Sequence, residues 1–361
     1  MRQLLALLAI TALAGSNAVA QGHWTPEIGV RGGFVRSKPA GTSAADHTDA
    51  IDVPGVGYGS IFAVIPFWHR LALEPNVGFS QLAIGVPPGV LFLSGTNVNL
   101  GLRTNFAITA HLFTAIGGQL LYSEAAGQHD AQIGVQAALG YRTALSRRLV
   151  ARVEAQVIAS ARGYRNALQP ANTYSALLGI SARADHPAAA PTGTGTGLWV
   201  TELGVAAGYT RAHLSGPGLT ADITLFASPG SSAAAGVPAP PTVFFVIPVW
   251  RRWALEPGFD VHRTRENGTT SFTGTFSARV NYAVAPHWYA ALGPVVQVVN
   301  DSTNSTLGVS GVGAAWGARF RLAGDVGGRV ELAYATFKER SGSPFTTNTL
   351  AVSFAATLPL K

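Results

Sequence analysis

The chain has 361 residues, of which 47% are hydrophobic and only 12% charged, with 42 glycines, no cysteine and a formal net charge of +7. Soluble globular proteins carry about 25% charged residues, so this composition points to surroundings other than water. Without cysteine there is no disulfide and no lipid-modified N-terminal cysteine, and the basic residues are scattered without interleaved aromatics, which leaves nucleic acid no footprint.

Arg2, the apolar run Leu4–Leu13 and the small-residue triplet Ala18-Val19-Ala20 read as a secretory signal over residues 1–20, cleaved near Ala20 so that Gln21 opens the mature chain. Beyond it no uninterrupted apolar stretch reaches eighteen residues, which excludes membrane-spanning helices. In hydrocarbon the other structure that pairs every backbone group is a closed barrel. Period-two alternation then places strands near 24–36, 55–66, 71–84, 96–107, 112–124, 131–143, 149–162 and 172–184. Short turns at 66–70, 108–111 and 144–148 are expected to face the periplasm, and longer loops at 37–54, 85–95 and 163–171 the outside.

Residues 185–197, DHPAAAPTGTGTG, form a linker rich in Pro, Gly and Thr. After it the pattern returns, with strands near 199–212, 241–248, 253–265, 269–283, 288–300, 306–319, 326–339 and 347–358, and a long Ala/Pro/Gly/Ser-rich loop at 213–240. VIPFWHRLALEP at 64–75 recurs as VIPVWRRWALEP at 246–257 with nine of twelve positions identical. EIGVRGGFVR at 27–36 matches ELGVAAGYTR at 202–211, and RTNFAITAHLF at 103–113 matches RVNYAVAPHWY at 279–289. The chain is one unit written twice, over 21–184 and 198–361.

Alternation separates two faces. In the first strand Ile28, Val30 and Phe34 share one parity, and Glu27, Gly29, Arg31 and Gly33 the other. Six polar positions recur in both halves on the inferred inner face: Glu27 and Glu202, Glu74 and Glu256, Arg103 and Arg279, Asn105 and Asn281, Arg152 and Arg329, Glu154 and Glu331. An Arg facing lipid at the bilayer midplane costs ~2–4 kcal/mol, so these groups are expected inside, paired as a structural network. The aromatics beside the short turns, among them Phe67, Trp68, Trp250, Trp253, Trp288 and Tyr289, are expected to form the girdle at the membrane boundary.

No motif for chemistry stands out. The nearest His-x-Ser spacing, His213 and Ser215, falls in the 213–240 loop; Asp46, His47, Asp49, Asp52, His129 and Asp130 are read as solvated loop residues; and Gly55, Gly57 and Gly59 precede no helix that would cradle a phosphate. His111 and His287 occupy equivalent short turns, where capping is the default. No catalytic residue, metal site or cofactor is expected.

In its strand alternation, paired inner charges and turn-side aromatics, the chain resembles the small eight-stranded outer-membrane barrels of the OmpA/OmpX type, met twice in tandem. The resemblance implies insertion into outer-membrane lipid by the barrel-assembly machinery and a structural or surface-interaction role, often without enzymatic activity, whose extracellular ligand is unknown; the basic net charge points to a non-specific attraction to anionic lipopolysaccharide. The chain departs from the family by ending Leu358-Pro359-Leu360-Lys361 and not on an aromatic residue. The expected fold is a transmembrane antiparallel up-and-down β-barrel in the cell outer membrane, as two eight-stranded units or as one sixteen-stranded barrel. Two narrow barrels suit the small inward residues and repeated inner charges; sixteen strands in one ring would make a porin-like diffusion channel. An envelope lipid or peptide hydrolase has the least support.

Overall fold

The computed structural model describes residues 24–39, 48–53, 61–86, 90–125, 128–145, 149–165, 168, 170–183, 198–216, 219–227, 241, 243–266, 269–301, 305–323, 326–339 and 346–360. The signal segment 1–20 and the linker 185–197 lie outside the described residues. The first repeat carries strands β1 (Glu27–Pro39), β2 (Thr48–Val53), β3 (Ile61–Trp68), β4 (Leu71–Val86), β5 (Val90–Ala107), β6 (Leu112–Ala125), β7 (Gln128–Ala144), β8 (Leu149–Ser160) and β9 (Ala171–Arg183). The second carries β10 (Glu202–Gly216), β11 (Leu219–Ala227), β12 (Val243–Trp250), β13 (Trp253–Glu266), β14 (Thr269–Ala283), β15 (Trp288–Asp301), β16 (Ser305–Ala323), β17 (Val326–Glu339) and β18 (Thr346–Pro359). Every ladder between them is antiparallel, and the sheet closes on itself as a barrel.

Alternation drives this arrangement. On β7, Ile133, Val135, Leu139 and Tyr141 are exposed on the outside, while Gln132, Gln136, Ala138 and Arg142 are buried inside. The same holds around the ring, where Ile133 is 67% and Leu178 66% exposed. Contiguous apolar surface on this scale is unfavourable in water and favourable in hydrocarbon, so the exterior is that of a membrane-spanning barrel. The long strands, such as the 17 residues of β7 and 19 of β16, exceed the ~9–11 needed to cross and extend beyond the apolar band.

The registers show how the two repeats join. At the short-turn end, the first part of β1 pairs with β3 (Glu27 with Val64) and β3 pairs with the first part of β4. With β5 to β9 and the β9–β1 ladder this closes a ring of eight strands. At the same end β10, β12 and β13 to β18 close a second ring of eight, β12 pairing with β10 and β13. Toward the opposite end the wall changes partners. β1 passes from β3 to β2, and the other edge of β2 pairs with β13 of the second repeat, Asp49 standing opposite Arg265. On the far side β10 passes from β12 to β11, whose other edge pairs with β4 of the first repeat, Thr224 opposite Ala83. There one continuous ring of sixteen strands runs β9-β1-β2-β13 through β18-β10-β11-β4 and back through β8. Two eight-stranded rings thus open into one shared sixteen-stranded ring, an arrangement that differs both from two separate barrels and from a single sixteen-stranded barrel.

Among the described residues the expected count of eight strands per half is corrected to nine, because the second strand of each half is built from two pieces. β2 lies where the 37–54 loop was expected, and the end of β10 with β11 lies in the 213–240 segment. Both added pieces belong to the ladders that join the repeats.

Candidate functional site

The polar interior of each eight-stranded ring is the site that the sequence singles out. β4 places Glu74 at the centre of the first ring, wholly buried. Its carboxylate accepts from Arg31 Nη1 at 2.8 Å, Arg152 Nη1 at 2.8 Å and Asn105 Nδ2 at 2.7 Å, and Arg103 Nη2 lies 2.7 Å from it. Glu154 on β8 takes Arg103 at 2.7 Å and Arg31 at 3.5 Å. Nearer the turn end, Glu27 accepts from the Ser181 hydroxyl at 2.6 Å and faces Arg142 at 3.7 Å.

The second ring repeats this constellation. Glu256 on β13 accepts from Arg279, from Arg329 Nη1 at 2.7 Å and from Asn281 Nδ2 at 2.6 Å. Arg279 reaches Glu331 at 2.5 Å and Arg329 reaches Glu202 at 3.2 Å. All twelve residues of the six polar pairs are therefore buried in the two lumens, most of them in the clusters around Glu74 and Glu256, with Glu27 paired separately to Ser181 and Arg142. A charge buried alone costs several kcal/mol, and mutual pairing with hydrogen bonds is what makes such burial tolerable.

Aromatic rings close each network on its turn side. Phe62, Phe113 and Trp24 stand 4.8, 4.9 and 5.8 Å from the Arg152 guanidinium; Phe244, Tyr289 and Trp199 stand 4.8, 5.4 and 5.7 Å from Arg329. Arg142 stacks over Trp24 at 4.3 Å and Arg319 over Trp199 at 4.0 Å. Each indole donates to a turn carbonyl, Trp24 to Arg70 at 3.0 Å and Trp199 to Arg252 at 2.9 Å. Glycine makes room for the rings: an added Cβ would come within 2.5 Å of Phe62 at Gly29, 2.3 Å of Phe113 at Gly140, 2.1 Å of Phe244 at Gly204 and 2.3 Å of Tyr289 at Gly317.

Tyr289 corrects the girdle expected from the sequence. It is fully buried in the second lumen, and its hydroxyl donates to Glu331 at 2.8 Å. Its neighbour Trp288 takes the outward parity, is 48% exposed and stacks with Trp316. Phe113, the Tyr289 counterpart, is likewise inside. Phe67, Trp68, Trp250 and Trp253 are exposed at the turn end. The histidines of the two equivalent turns dock those turns on the next strand, the Arg142 amide donating to the His111 carbonyl and the Arg319 amide to the His287 carbonyl, both at 2.7 Å.

Arg31, Trp24, Phe62, Arg142 and their second-half counterparts were not among the expected network. Arg31 stands on the polar parity in the sequence, but Ala206 occupies its place in the second half, so repetition did not flag it. Tyr289 compensates there: its hydroxyl contacts Glu331, where in the first ring Arg31 contacts Glu154.

The residues weighed for chemistry in the sequence take the following places. Asp130 belongs to β7 and is buried, accepting from the amides of Ala131, Arg165 and Leu168 at 2.7–2.8 Å, which folds the β8–β9 connection over the ring. His47 lies outside the described residues, and Asp49 pairs with Arg36 at 2.6 and 2.8 Å. His213 and Ser215 stand on β10 and not in a loop, with the His213 ring bonded to Asp222 at 2.9 Å. The Ser215 hydroxyl reaches the Thr346 carbonyl at 3.5 Å. Among the described residues no group of three or more His, Asp or Glu side chains is placed to hold a metal ion.

No family model and no curated relative matches the sequence. Solved structures with similar folds include the CymD monoaromatic hydrocarbon channel, at 9% identity and a TM-score of 0.32 over 98% of this chain and 92% of that one. Others are the Pseudomonas putida toluene transporter TodX, at 7% and 0.29 over 97% and 92%, and Pseudomonas aeruginosa OpdQ, at 10% and 0.24 over 93% and 99%. Likenesses this weak carry no argument about function.

Proposed function

We propose that the chain is an integral outer-membrane barrel protein with a structural or surface-interaction role, formed by tandem duplication of a small OmpA/OmpX-like barrel, its lumens closed at the short-turn end. The observation that carries this reading is the pair of buried Arg–Glu clusters. Glu74, Arg103 and Arg152 in one ring and Glu256 and Arg329 in the other are at most 2% exposed, so side chains fill both lumens. In this reading residues 1–20 direct export, the short turns face the periplasm, and the barrel-assembly machinery inserts the product.

A second reading, a passive channel for small solutes, is favoured by one observation, the sixteen-stranded ring at the far end. Planar-bilayer recording of the refolded full chain separates the two. The closed-lumen reading expects an electrically silent bilayer; steady nanosiemens steps overturn it in favour of the channel.

A further inference from the structure

The seam that joins the repeats brings together cations that neither repeat holds by itself. Across β1, β2 and β13, Arg36 stands opposite Asp49, and Asp49 opposite Arg265. One pair further along, Phe34 stands opposite Ile51, and Ile51 opposite Arg263. Arg36, Arg263 and Arg265 are exposed, and Lys38 continues the outward parity of β1. Arg36 is engaged by Asp49, whereas Arg263 and Arg265 make no ion pair with another described residue. Phe34 shares the row of Arg263 and is exposed, and nearer the turn end the outward row is apolar, with Phe276 exposed opposite Phe259.

The height of this patch identifies its surroundings. Arg263 lies ten residues beyond the girdle residue Trp253 on β13. At a rise of ~3.4 Å per residue and a tilt of ~40°, that is ~25 Å along the barrel axis, the height of the apolar band. The arginines therefore stand where hydrocarbon gives way to headgroups. Arg36 and Arg265 are two strands apart, ~10 Å, a span over which separate guanidinium groups can each fork onto a phosphate. The opposite seam lacks the patch: there Arg211 faces Thr224, and Gln81 and Ala83 occupy the positions that correspond to Arg263 and Arg265.

We propose that the β1–β2–β13 seam is a binding site for a phosphate-bearing anionic lipid of the leaflet around the wide end of the barrel. Arg263 and Arg265 bind the headgroup phosphates, and the apolar rows below them carry the acyl chains. The site rests on the membrane reading above and adds to it a specific lipid class and position.

The test is titration of the refolded full chain in neutral detergent with synthetic bis-phosphorylated lipid A, phosphatidylcholine or inorganic phosphate, bound ligand being counted by native mass spectrometry. Each basic side chain near an anionic surface contributes roughly a factor of five in affinity, so Arg263→Gln with Arg265→Gln is expected to weaken lipid A binding about 25-fold. Arg263→Lys with Arg265→Lys retains most of the binding, and Arg211→Gln on the opposite seam leaves it unchanged. Heat-modifiable migration on a gel verifies that each variant is folded. The proposal is overturned if the glutamine variant binds lipid A as the parent does, if Arg211→Gln weakens binding equally, or if phosphatidylcholine or inorganic phosphate binds as tightly. A folded monomer in detergent-free buffer overturns the membrane reading instead.

Discussion

At the scale of single residues, Glu74 holds the first lumen together. Four donors converge on its two oxygens, three of them guanidinium groups, and all four residues are buried. Glu74→Gln keeps the shape and removes the charge that offsets Arg31, Arg103 and Arg152. Breaking a buried ion pair by neutralising one member costs ~3–5 kcal/mol, so the detergent-folded variant is expected to unfold at markedly lower urea concentration with its strand content unchanged. An unaltered midpoint would show that the cluster contributes nothing to stability. Such positions were legible in the sequence because two signals agreed, polar parity within a strand and recurrence in the second half. Where one signal was missing, the reading failed. Arg31 has the parity but no repeat, and Tyr289 was assigned by its closeness to a turn although its parity points inward. Trp24 and Trp199 failed for another reason: they open the expected first strand of each half on the outward parity of Ile28 and Tyr209, but they lie ahead of β1 and β10, where the alternation does not hold and both indoles are buried.

At the scale of elements, β2 and β11 decide how the halves join, and neither was legible. Alternation marks a strand when its apolar side faces lipid, and β11 inverts that rule. Ala221 and Leu225 are buried inside it while Asp222 is 39% exposed outside, because this stretch lies past the apolar band. β2 has only six residues, two of them Asp, and reads as a polar loop for the same reason. The full-length strands such as β7 and β16 were found because most of their length crosses hydrocarbon. The β2–β13 ladder can be tested directly, since the chain has no native cysteine. Ile51 and Arg263 are register partners, and opposed residues in an antiparallel pair have Cα atoms ~4.5–5.5 Å apart, within disulfide reach. Ile51→Cys with Arg263→Cys is expected to oxidise to near completion in the folded state, read by mass spectrometry of the linked peptides. A control with Ile51→Cys and Val261→Cys, displaced by one outward-facing position, should lag behind. If the two pairs oxidise alike, the register is wrong.

At the scale of the whole molecule, the two halves form neither two tethered barrels nor one enlarged pore. The turn end keeps two rings narrow enough for side chains to fill, and the far end exchanges strands so that the wall encloses both lobes. Separating the lobes would bare the outer edge of β2, the outer edge of β11 and the matching edges of β13 and β4. Unpaired strand edges are costly beside lipid and sticky outside it. A covalent link through residues 185–197 is therefore unnecessary once the barrel has closed. Placing a specific protease site in that segment and cutting after refolding should leave the halves co-eluting in size-exclusion chromatography in detergent, and they should separate only when the sheet itself is denatured. Two species, each folded and half the size, would instead mean that the exchanged ladders do not hold the repeats together.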